Sequence, residues 1–243
     1  MRCENIQGFL LHSKPYSETS LIVDLLTRQH GRVRCIAKGF RKASKKGVSR
    51  VIFPYLEYAF SWYGRSELKT LTLAEATIAP TFLRQDALYT GLYVNELVYR
   101  LLQEQESSED FYRQYRDFLA SLCTALPHES RLRMLEMSLL EELGYGLVLD
   151  TDAESGEQII AQYYYRYVPQ LGLQRLTTNH RGDALSGQHL LSLVAGDWQQ
   201  QEVLQVARVV LRTAIDFYLD GRLLHSRRLY RQYRAAAVAA CVD

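Results

Sequence analysis

The sequence predicts an α+β protein: an N-terminal five-stranded OB-fold barrel, followed by a mainly α-helical domain with an extended insertion. Over the first 80 residues apolar side chains alternate with polar ones, as they do in half-buried strands. After Pro80 the apolar spacing becomes that of amphipathic helices, and it is lost again at about residues 150–180. We therefore expect one domain at residues 1–80 and a second at residues 81–243, which contains the insertion.

Five segments with a period of two residues account for the barrel. They are Ile6–His12, Leu21–Leu25, Val33–Ala37, Leu56–Trp62 and Glu67–Glu75. Glycine and proline residues separate them, at Gly31, Gly47, Pro54 and Gly64. About five strands within 80 residues is the size of a small closed barrel, and this number favours an OB-fold over a sandwich.

The rest of the chain is predicted as helices on both sides of the insertion. Helical spacing first covers about residues 83–104, Phe111–Leu122 and Leu132–Leu143, and Gly144 ends the third helix. In the insertion, two strands or extended arms are expected at Ile159–Tyr167 and Gly172–Leu176. Helical spacing returns at Leu190–Val194 and Val203–Phe217, and a short basic helix begins near Ser226, its predicted N-cap.

Composition indicates a globular chain with free thiols. Hydrophobic residues make up 47% and charged residues 23% of the 243 residues. The longest apolar run, Ala235–Val242, is far shorter than the roughly 20 residues of a membrane helix. We expect no signal peptide, because the apolar segment Ile6–Leu11 is too short. Four scattered cysteines predict neither a disulfide framework nor a metal knuckle, so the expected location is cytoplasmic.

Positive charge is concentrated in the first third of the chain. Residues 1–80 hold 13 Lys+Arg and 6 Asp+Glu, a net charge of +7, and residues 81–243 hold 16 and 21, a net charge of −5; together they give the +2 of the whole chain. A basic segment joined to an acidic remainder is typical of a chain that contacts a polyanion. The alternative is that the asymmetry arose by drift.

The densest positive charge lies between two predicted strands. Arg32 and Arg34 occupy the outward side of their strand, which leads into a basic loop without acidic residues. Such a surface can follow a phosphate backbone, and Phe40, Tyr55 and Tyr63 are candidates for stacking on bases. A solvated loop beside ordinary barrel surface is the alternative. The predicted DNA-binding residues are Arg32, Arg34, Lys38, Arg41, Lys42, Lys45, Lys46 and Arg50.

A second basic patch lies in the predicted last helix. Arg227, Arg231 and Arg234 recur at helical spacing, and Tyr230 and Tyr233 lie three residues apart. This combination suits phosphate or an acidic segment of a partner. Alternatively, the tyrosines pack the helix against its neighbours and the arginines face water.

Catalytic motifs are missing from the sequence. It has no glycine-rich phosphate loop, no G-x-S-x-G motif and no His pair at metal-ligand spacing. Neighbouring carboxylates at Glu141 and Glu142 point about 100° apart on a helix. Together with Asp150 and Asp152 they are interpreted as a solvated face. We therefore expect a protein that is not an enzyme and has no metal site or cofactor.

Several separated blocks resemble the RecO family of bacterial recombination mediators. The run from His12 to Ser20 resembles the N-terminal signature of that family, which continues through Leu26-Thr27, Gly31-Arg32-Val33 and Ala37-Lys38-Gly39. Further blocks follow in the family's order: Leu73–Ala76, Tyr93–Leu97, Leu139–Gly146 and Leu224–Gln232. The similarity spans roughly residues 6–234 and fits the shorter proteobacterial members.

The resemblance implies DNA repair and recombination without enzyme activity, in the nucleoid. Proteins of this family bind single- and double-stranded DNA and anneal strands coated by single-strand-binding protein. With RecR they load recombinase at gaps, and their helical domain docks the acidic C-terminal tail of single-strand-binding protein. Many members carry a four-cysteine zinc element at the place of residues 150–180, where this chain has no cysteine. Zinc is therefore not expected, and the resemblance does not predict how the insertion folds without it.

An acidic tail with an apolar end requires an apolar groove with cations at its rim. Arg131 and Arg133 precede Leu135 near a predicted helix N-terminus and are the first candidates; Arg227 and Arg231 are the second. From the residues alone two other functions stay open. The chain could be an RNA- or ribosome-associated OB-fold protein, or, with less support, a nuclease.

Overall fold

Alternating apolar residues in five strands form a closed barrel, which confirms the predicted OB-like first part of an α+β fold. The strands are β1 (Arg2–Pro15), β2 (Ser20–Thr27), β3 (Gly31–Lys38), β4 (Glu57–Tyr63) and β5 (Lys69–Ala76). Their order around the barrel is β1-β2-β3-β5-β4, and only the β3–β5 pair is parallel. The computed structural model describes residues 2–40, 51–78, 82–104, 108–124, 129–177 and 184–239.

Strand β1 is longer than the sequence predicts because two irregularities interrupt its period. The register of β1 shifts between Cys3 and Ile6 against β4, and between Leu10 and His12 against β2. A bulge bends a strand and increases its twist, so β1 can pair with both neighbours along its length. The same irregularity breaks the alternation of apolar and polar residues that would have revealed the full strand.

Six helices occupy the described residues after the barrel. They are α1 (Gln85–Leu101), α2 (Glu109–Thr124), α3 (Glu129–Glu142), α4 (Gly187–Val194), α5 (Gln201–Tyr218) and α6 (His225–Ala239). The chain divides into two compact units, one of residues 1–127 and 224–243 and the other of residues 128–223. Packing thus groups α1, α2 and α6 with the barrel, a different grouping from the sequence segments 1–80 and 81–243.

A buried asparagine of α1 satisfies the irregular backbone of β1. The Asn95 side-chain amide donates to the carbonyl oxygen of Leu10 over 3.1 Å, at the bulge. Its own oxygen accepts a 2.5 Å hydrogen bond from the hydroxyl of Tyr115 on α2. Because an unpaired buried carbonyl is costly, Asn95 stabilises both the bulge and the position of α1.

The start of α6 is capped by a carboxylate from α1. Glu96 accepts hydrogen bonds from the N–H groups of His225 and Ser226, over 3.0 and 2.8 Å, and from the Ser226 hydroxyl over 2.7 Å. Burial opposes ionisation of Glu96, but these bonds and Arg100 outweigh it and lower its pKa. The prediction that Ser226 is the N-cap is wrong: α6 already begins at His225, and Ser226 is a donor to Glu96.

The second unit combines three helices with a small sheet. The sheet has the order β7-β6-β8, with β6 at Tyr164–Val168, β7 at Gly172–Arg175 and β8 at Leu185–Ser186. The two predicted arms of the insertion therefore form strands over part of their length. Helix α3 ends at Glu142, just before Gly144, the residue predicted to stop it. Gly144 has a φ of +77°, a conformation that favours glycine after a helix.

The insertion is organised around a buried carboxylate. Asp152 is 5% exposed and accepts three backbone hydrogen bonds, from Glu154 (2.8 Å), Ser155 (3.1 Å) and Arg175 (3.0 Å). Burial disfavours the charge of Asp152, but the hydrogen bonds outweigh it, so its pKa is lowered. The interpretation of Asp152 as part of a solvated acidic face is therefore wrong, because the surrounding turn encloses its side chain.

Candidate nucleic-acid interface

An exposed cluster of two lysines and a tyrosine lies at the β1–β2 turn. The turn closes through a 3.0 Å hydrogen bond from the Tyr16 N–H to the Ser20 carbonyl, and the Tyr16 side chain is 59% exposed. Lys14 precedes the turn on β1, and Lys38 at the end of β3 is the register partner of Ser20. Both lysines are exposed, and within the described part of the chain neither forms an ion pair. We call Lys14, Tyr16 and Lys38 the turn cluster.

The turn cluster contains groups that could contact both the phosphates and the bases of a nucleic acid strand. Free ammonium groups attract phosphates, and an exposed phenol ring can stack on a base. Glu18 in the same turn takes part in another interaction. The five predicted DNA-binding residues that follow Lys38 lie outside the described residues; they are Arg41, Lys42, Lys45, Lys46 and Arg50.

Arg32 and Arg34 point away from the barrel interior as predicted, but both are only partly exposed and both lie close to carboxylates. Arg34 binds Asp24 over 3.0 Å and Glu104 over 3.1 Å. Arg32 lies 3.7 Å from Glu104 and donates a hydrogen bond to the carbonyl of Tyr99 on α1. The two guanidinium groups are thus matched by two carboxylates.

This arrangement corrects the prediction of a basic strand face. Burial disfavours the charge of Arg34, but the carboxylates of Asp24 and Glu104 outweigh it, so the pKa of Arg34 is raised. Sequence alternation assigns a residue to one side of a strand, but it does not reveal that a helix covers that side. Arg32 and Arg34 stabilise the packing of the Tyr99–Glu104 segment on the barrel, whereas Lys38 of β3 forms no ion pair with any residue that the structure describes.

The aromatic residues singled out from the sequence have different surroundings. Phe40 is 7% exposed and belongs to the barrel core, so it cannot stack on a base. Tyr55 packs on Gly91 of α1, where an added Cβ would lie 2.9 Å from its ring. Tyr63, at the end of β4, is 50% exposed. Sequence reasoning missed Tyr16, whose signal was its place in a turn beside Lys14.

A cavity of about 420 Å³ lies within the barrel unit, between β1, α1 and α6. The ring of His12 stacks on that of Tyr99 with centroids 4.5 Å apart, and its Nδ1 atom finds no hydrogen-bond partner among the described residues. Burial lowers the pKa of His12, which disfavours the charged imidazolium. Arg100 beside it binds Glu96 over 2.7 Å. The cavity is therefore lined by apolar side chains, the imidazole of His12 and the Arg100–Glu96 ion pair.

The four arginines predicted for tail binding differ in how free they are. Arg131 on α3 is exposed and unpaired within the described residues. Arg133 binds the buried Glu136 over 2.6 Å and lies 3.8 Å from Glu129. This position corrects the prediction of Arg133 as a groove-rim cation, because its charge is already neutralised.

On α6 the arginines and the tyrosines have different surroundings. Arg231 is exposed, whereas the Arg227 guanidinium lies 5.5 Å from the centre of the Tyr93 ring. Tyr233 stacks on Tyr89 of α1 with centroids 4.6 Å apart. The tyrosines therefore pack α6 against α1, as the structural alternative proposed.

Across the described ranges, no group of three or more His, Cys, Asp or Glu side chains could hold a metal ion. No helix in the same ranges has the length and hydropathy to span a membrane.

Two family comparisons together cover most of the chain. Residues 1–79 match the family described as "Recombination protein O N terminal", and residues 84–228 match "Recombination protein O C terminal". The chain belongs to the RecO family. This membership confirms the resemblance seen in the sequence blocks, and it assigns the chain a role in DNA repair and recombination.

Individual RecO relatives are similar over nearly the whole of this chain. The DNA repair protein RecO of Methylococcus capsulatus is 38% identical over 224 residues, which cover 92% of this chain and 91% of the relative. That of Haemophilus influenzae strain 86-028NP is 38% identical over 234 residues, 96% of this chain and 98% of the relative. The Cupriavidus metallidurans protein is 35% identical over 234 residues, 94% of this chain and 77% of the relative.

Proposed function

We propose that this RecO-family chain is a non-enzymatic mediator that binds single- and double-stranded DNA and anneals strands coated by single-strand-binding protein. With RecR it helps to load recombinase at gaps. The observation that carries the proposal is the turn cluster, in which two lysines without an ion pair among the described residues lie with an exposed tyrosine, near the end of the strand that leads into the basic run. Other barrel cations, such as Arg32 and Arg34, are neutralised by carboxylates.

Annealing follows from the kind of cation that is exposed. Two single strands repel each other through their phosphates, and a cationic surface that contacts both lowers this repulsion. Lysine ammonium groups are point charges on flexible stems, so they hold phosphates without fixing the geometry of the bases. The bases stay free to find their complements.

Salt dependence tests this electrostatic binding. If about five phosphates are neutralised, log affinity for single strands should fall with log salt concentration at a slope of roughly −3.5. Lys14→Ala with Lys38→Ala should reduce the slope by about 1.4, and Lys42→Ala with Lys45→Ala and Lys46→Ala should reduce it further. Arg166→Ala is the matched control, because it removes an exposed cation of β6 in the second unit that has no ion pair within the described ranges. Affinity that hardly responds to salt would contradict the proposal.

Strand annealing on coated DNA tests the mediator role. Annealing should be fast with the full single-strand-binding protein and slow when its acidic tail is removed. A coated strand should also outcompete RNA of equal length for the protein. Preference for RNA would favour the alternative of an RNA-associated OB-fold protein.

Tail recognition is proposed to involve Arg131. Because Arg131 is exposed and Arg133 is already paired, Arg131→Ala should weaken tail-peptide binding roughly 10–150-fold, the effect of one charge-assisted contact of about 1.5–3 kcal/mol. Arg133→Ala should instead lower the melting temperature, because it leaves Glu136 buried without its guanidinium partner. If Arg131→Ala binds normally and Arg231→Ala does not, the tail binds at α6 instead.

A further inference from the structure

We propose that Phe53 and Phe82 form a stacking platform for the unpaired bases of a DNA strand. The inference rests on the proposed DNA binding and adds to it a basis for distinguishing single strands from duplex. The cations described above contact phosphates, which both forms of DNA present. Rings that stack on bases require base faces that only a single strand exposes.

The two phenylalanines are exposed and in contact with each other. Their ring centroids are 5.5 Å apart and their planes meet at 89°, an edge-to-face arrangement. Phe53 is 37% and Phe82 64% exposed. Both side chains are therefore accessible to a ligand, although both belong to the barrel unit with its extensive core.

The backbone that presents Phe53 is held firmly. The Phe53 N–H donates a 2.9 Å hydrogen bond to the hydroxyl of Tyr58, which is 3% exposed. Two residues after Phe53, Tyr55 has a φ of +69°, a conformation that a bulky residue rarely adopts. Close packing on Gly91 keeps Tyr55 there, since a Cβ on Gly91 would lie 2.9 Å from the Tyr55 ring. Backbone strain of this kind persists where surrounding structure enforces it, and it concentrates at binding sites.

The charges around the platform favour a polyanion that carries flat rings. Arg84, two residues after Phe82, is exposed and unpaired within the described residues. Neither residues 51–56 nor residues 82–85 contain a carboxylate. Asp86, which comes next, lies 4.0 Å from Arg234. Two exposed rings, with Arg84 two residues along the chain from Phe82 and unpaired among the described residues, thus offer contacts for the bases and phosphates of one strand.

The test compares DNA ligands that differ only in their bases. Phe53→Leu with Phe82→Leu keeps the surface apolar and removes both rings. Affinity for an oligothymidine should fall about 5- to 150-fold for one stacked base. Affinity for an abasic strand of the same length and for a duplex should not change, and neither should the salt slope, because no charge is removed. Tyr164→Leu, at an exposed aromatic of β6 in the other unit, should bind all three ligands normally.

Phe82→Trp is a second variant, which keeps an aromatic ring at this position. Phe82→Trp should retain or strengthen oligothymidine binding, because indole stacks at least as well as phenyl. Equal losses on oligothymidine, abasic strand and duplex would overturn the inference, as would no loss at all. The inference would also be overturned if Phe53→Leu with Phe82→Leu bound DNA strands normally but no longer bound an acidic tail peptide. Wild-type protein that binds no strand would overturn the proposed function itself, whereas salt-dependent binding that ignores the bases overturns the platform alone.

Discussion

At Asp152, three backbone N–H groups converge on one buried carboxylate, and they come from both ends of the insertion. Glu154 and Ser155 follow directly in sequence, whereas Arg175 lies on β7. One side chain therefore ties the first turn of the insertion to its sheet. A carboxylate with three donors can hold such a junction together in a segment that has no cysteine.

Replacement of Asp152 tests this role. Asp152→Ala leaves the three N–H groups without an acceptor, and we expect a loss of about 2–4 kcal/mol in the free energy of unfolding, at roughly 1–3 kcal/mol per unsatisfied buried donor with partial relief by water. Urea denaturation measures it. Glu154→Ala, which removes an exposed side chain of the same turn, is the control; equal stability of the two variants would contradict the assignment.

The lowered pKa of Asp152 also sets the direction of a pH effect. In the folded chain its pKa lies below the ordinary value of 3.8. The contribution of Asp152 to stability is therefore complete above that pH and is lost as the pH falls through the folded pKa. Asp152→Asn should show a shallower loss of stability in this acid range than the wild-type chain, as measured by denaturation at successive pH values.

For single residues, the sequence predicted on which side of a strand a side chain lies, but not which groups surround that side chain. Val33 and Cys35 face the core and Arg32 and Arg34 face outward, as alternation predicted. The ion pairs with Glu104 were not predictable, because Glu104 lies about 70 residues further along the chain. The burial of Phe40 was not predicted for a related reason. Phe40 lies after the end of β3, where the alternation of apolar and polar residues gives no information.

Among the elements, α4 depends on a single glycine at its first position. A Cβ on Gly187 would lie only 2.2 Å from the carbonyl oxygen of Ile160, and the Gly187 N–H donates to the Tyr163 carbonyl over 2.8 Å. The backbone of the insertion and the start of α4 therefore approach too closely for any side chain.

Gly187→Ala should accordingly destabilise the second unit by about 1–3 kcal/mol, the usual effect of overpacking. Gly146→Ala is the matched control, since its Cβ would meet nothing within 4 Å and should change stability by less than about 0.5 kcal/mol. Thermal denaturation of both variants checks the contrast. A Gly187→Ala variant as stable as Gly146→Ala would mean that the insertion adjusts freely.

The elements themselves were largely predictable from the sequence. Helices α1, α3 and α5 have apolar residues at helical spacing, and the ends of each lie within three residues of the expected range. The extension of β1 to Arg2 was missed because bulges break its period. The start of α6 was also misassigned, because its cap comes from Glu96, far away in sequence.

For the whole molecule, we expect no zinc. The described cysteines are free; Cys3 and Cys35 lie in the barrel core, and Cys123 is exposed. Burial raises the pKa of Cys35 to about 12, and a protonated thiol is a poor metal ligand. Elemental analysis should find far less than one zinc per chain, and a chelator should leave the melting temperature unchanged. A chelator that unfolds the protein would contradict this expectation.

At this scale the order of domains was easier to predict than their packing. The change from period two to helical spacing near residue 80 coincides with the gap between the two family matches, at residues 79 and 84. The return of residues 224–243 to the barrel unit was not predicted, because the contact of Glu96 with His225 and Ser226 spans about 130 residues.

Because residues 224–243 belong to the barrel unit, this unit is completed only at the end of the synthesis of these 243 residues. The ribosome makes the barrel, α1 and α2 first, then all of residues 128–223, and only afterwards α6. Until α6 has emerged from the exit tunnel, the Glu96 carboxylate lacks its three donors and Tyr89 lacks the ring of Tyr233. The nascent barrel unit therefore stays incompletely packed while residues 128–223 are synthesised, and a translation arrest before residue 225 would leave it without α6.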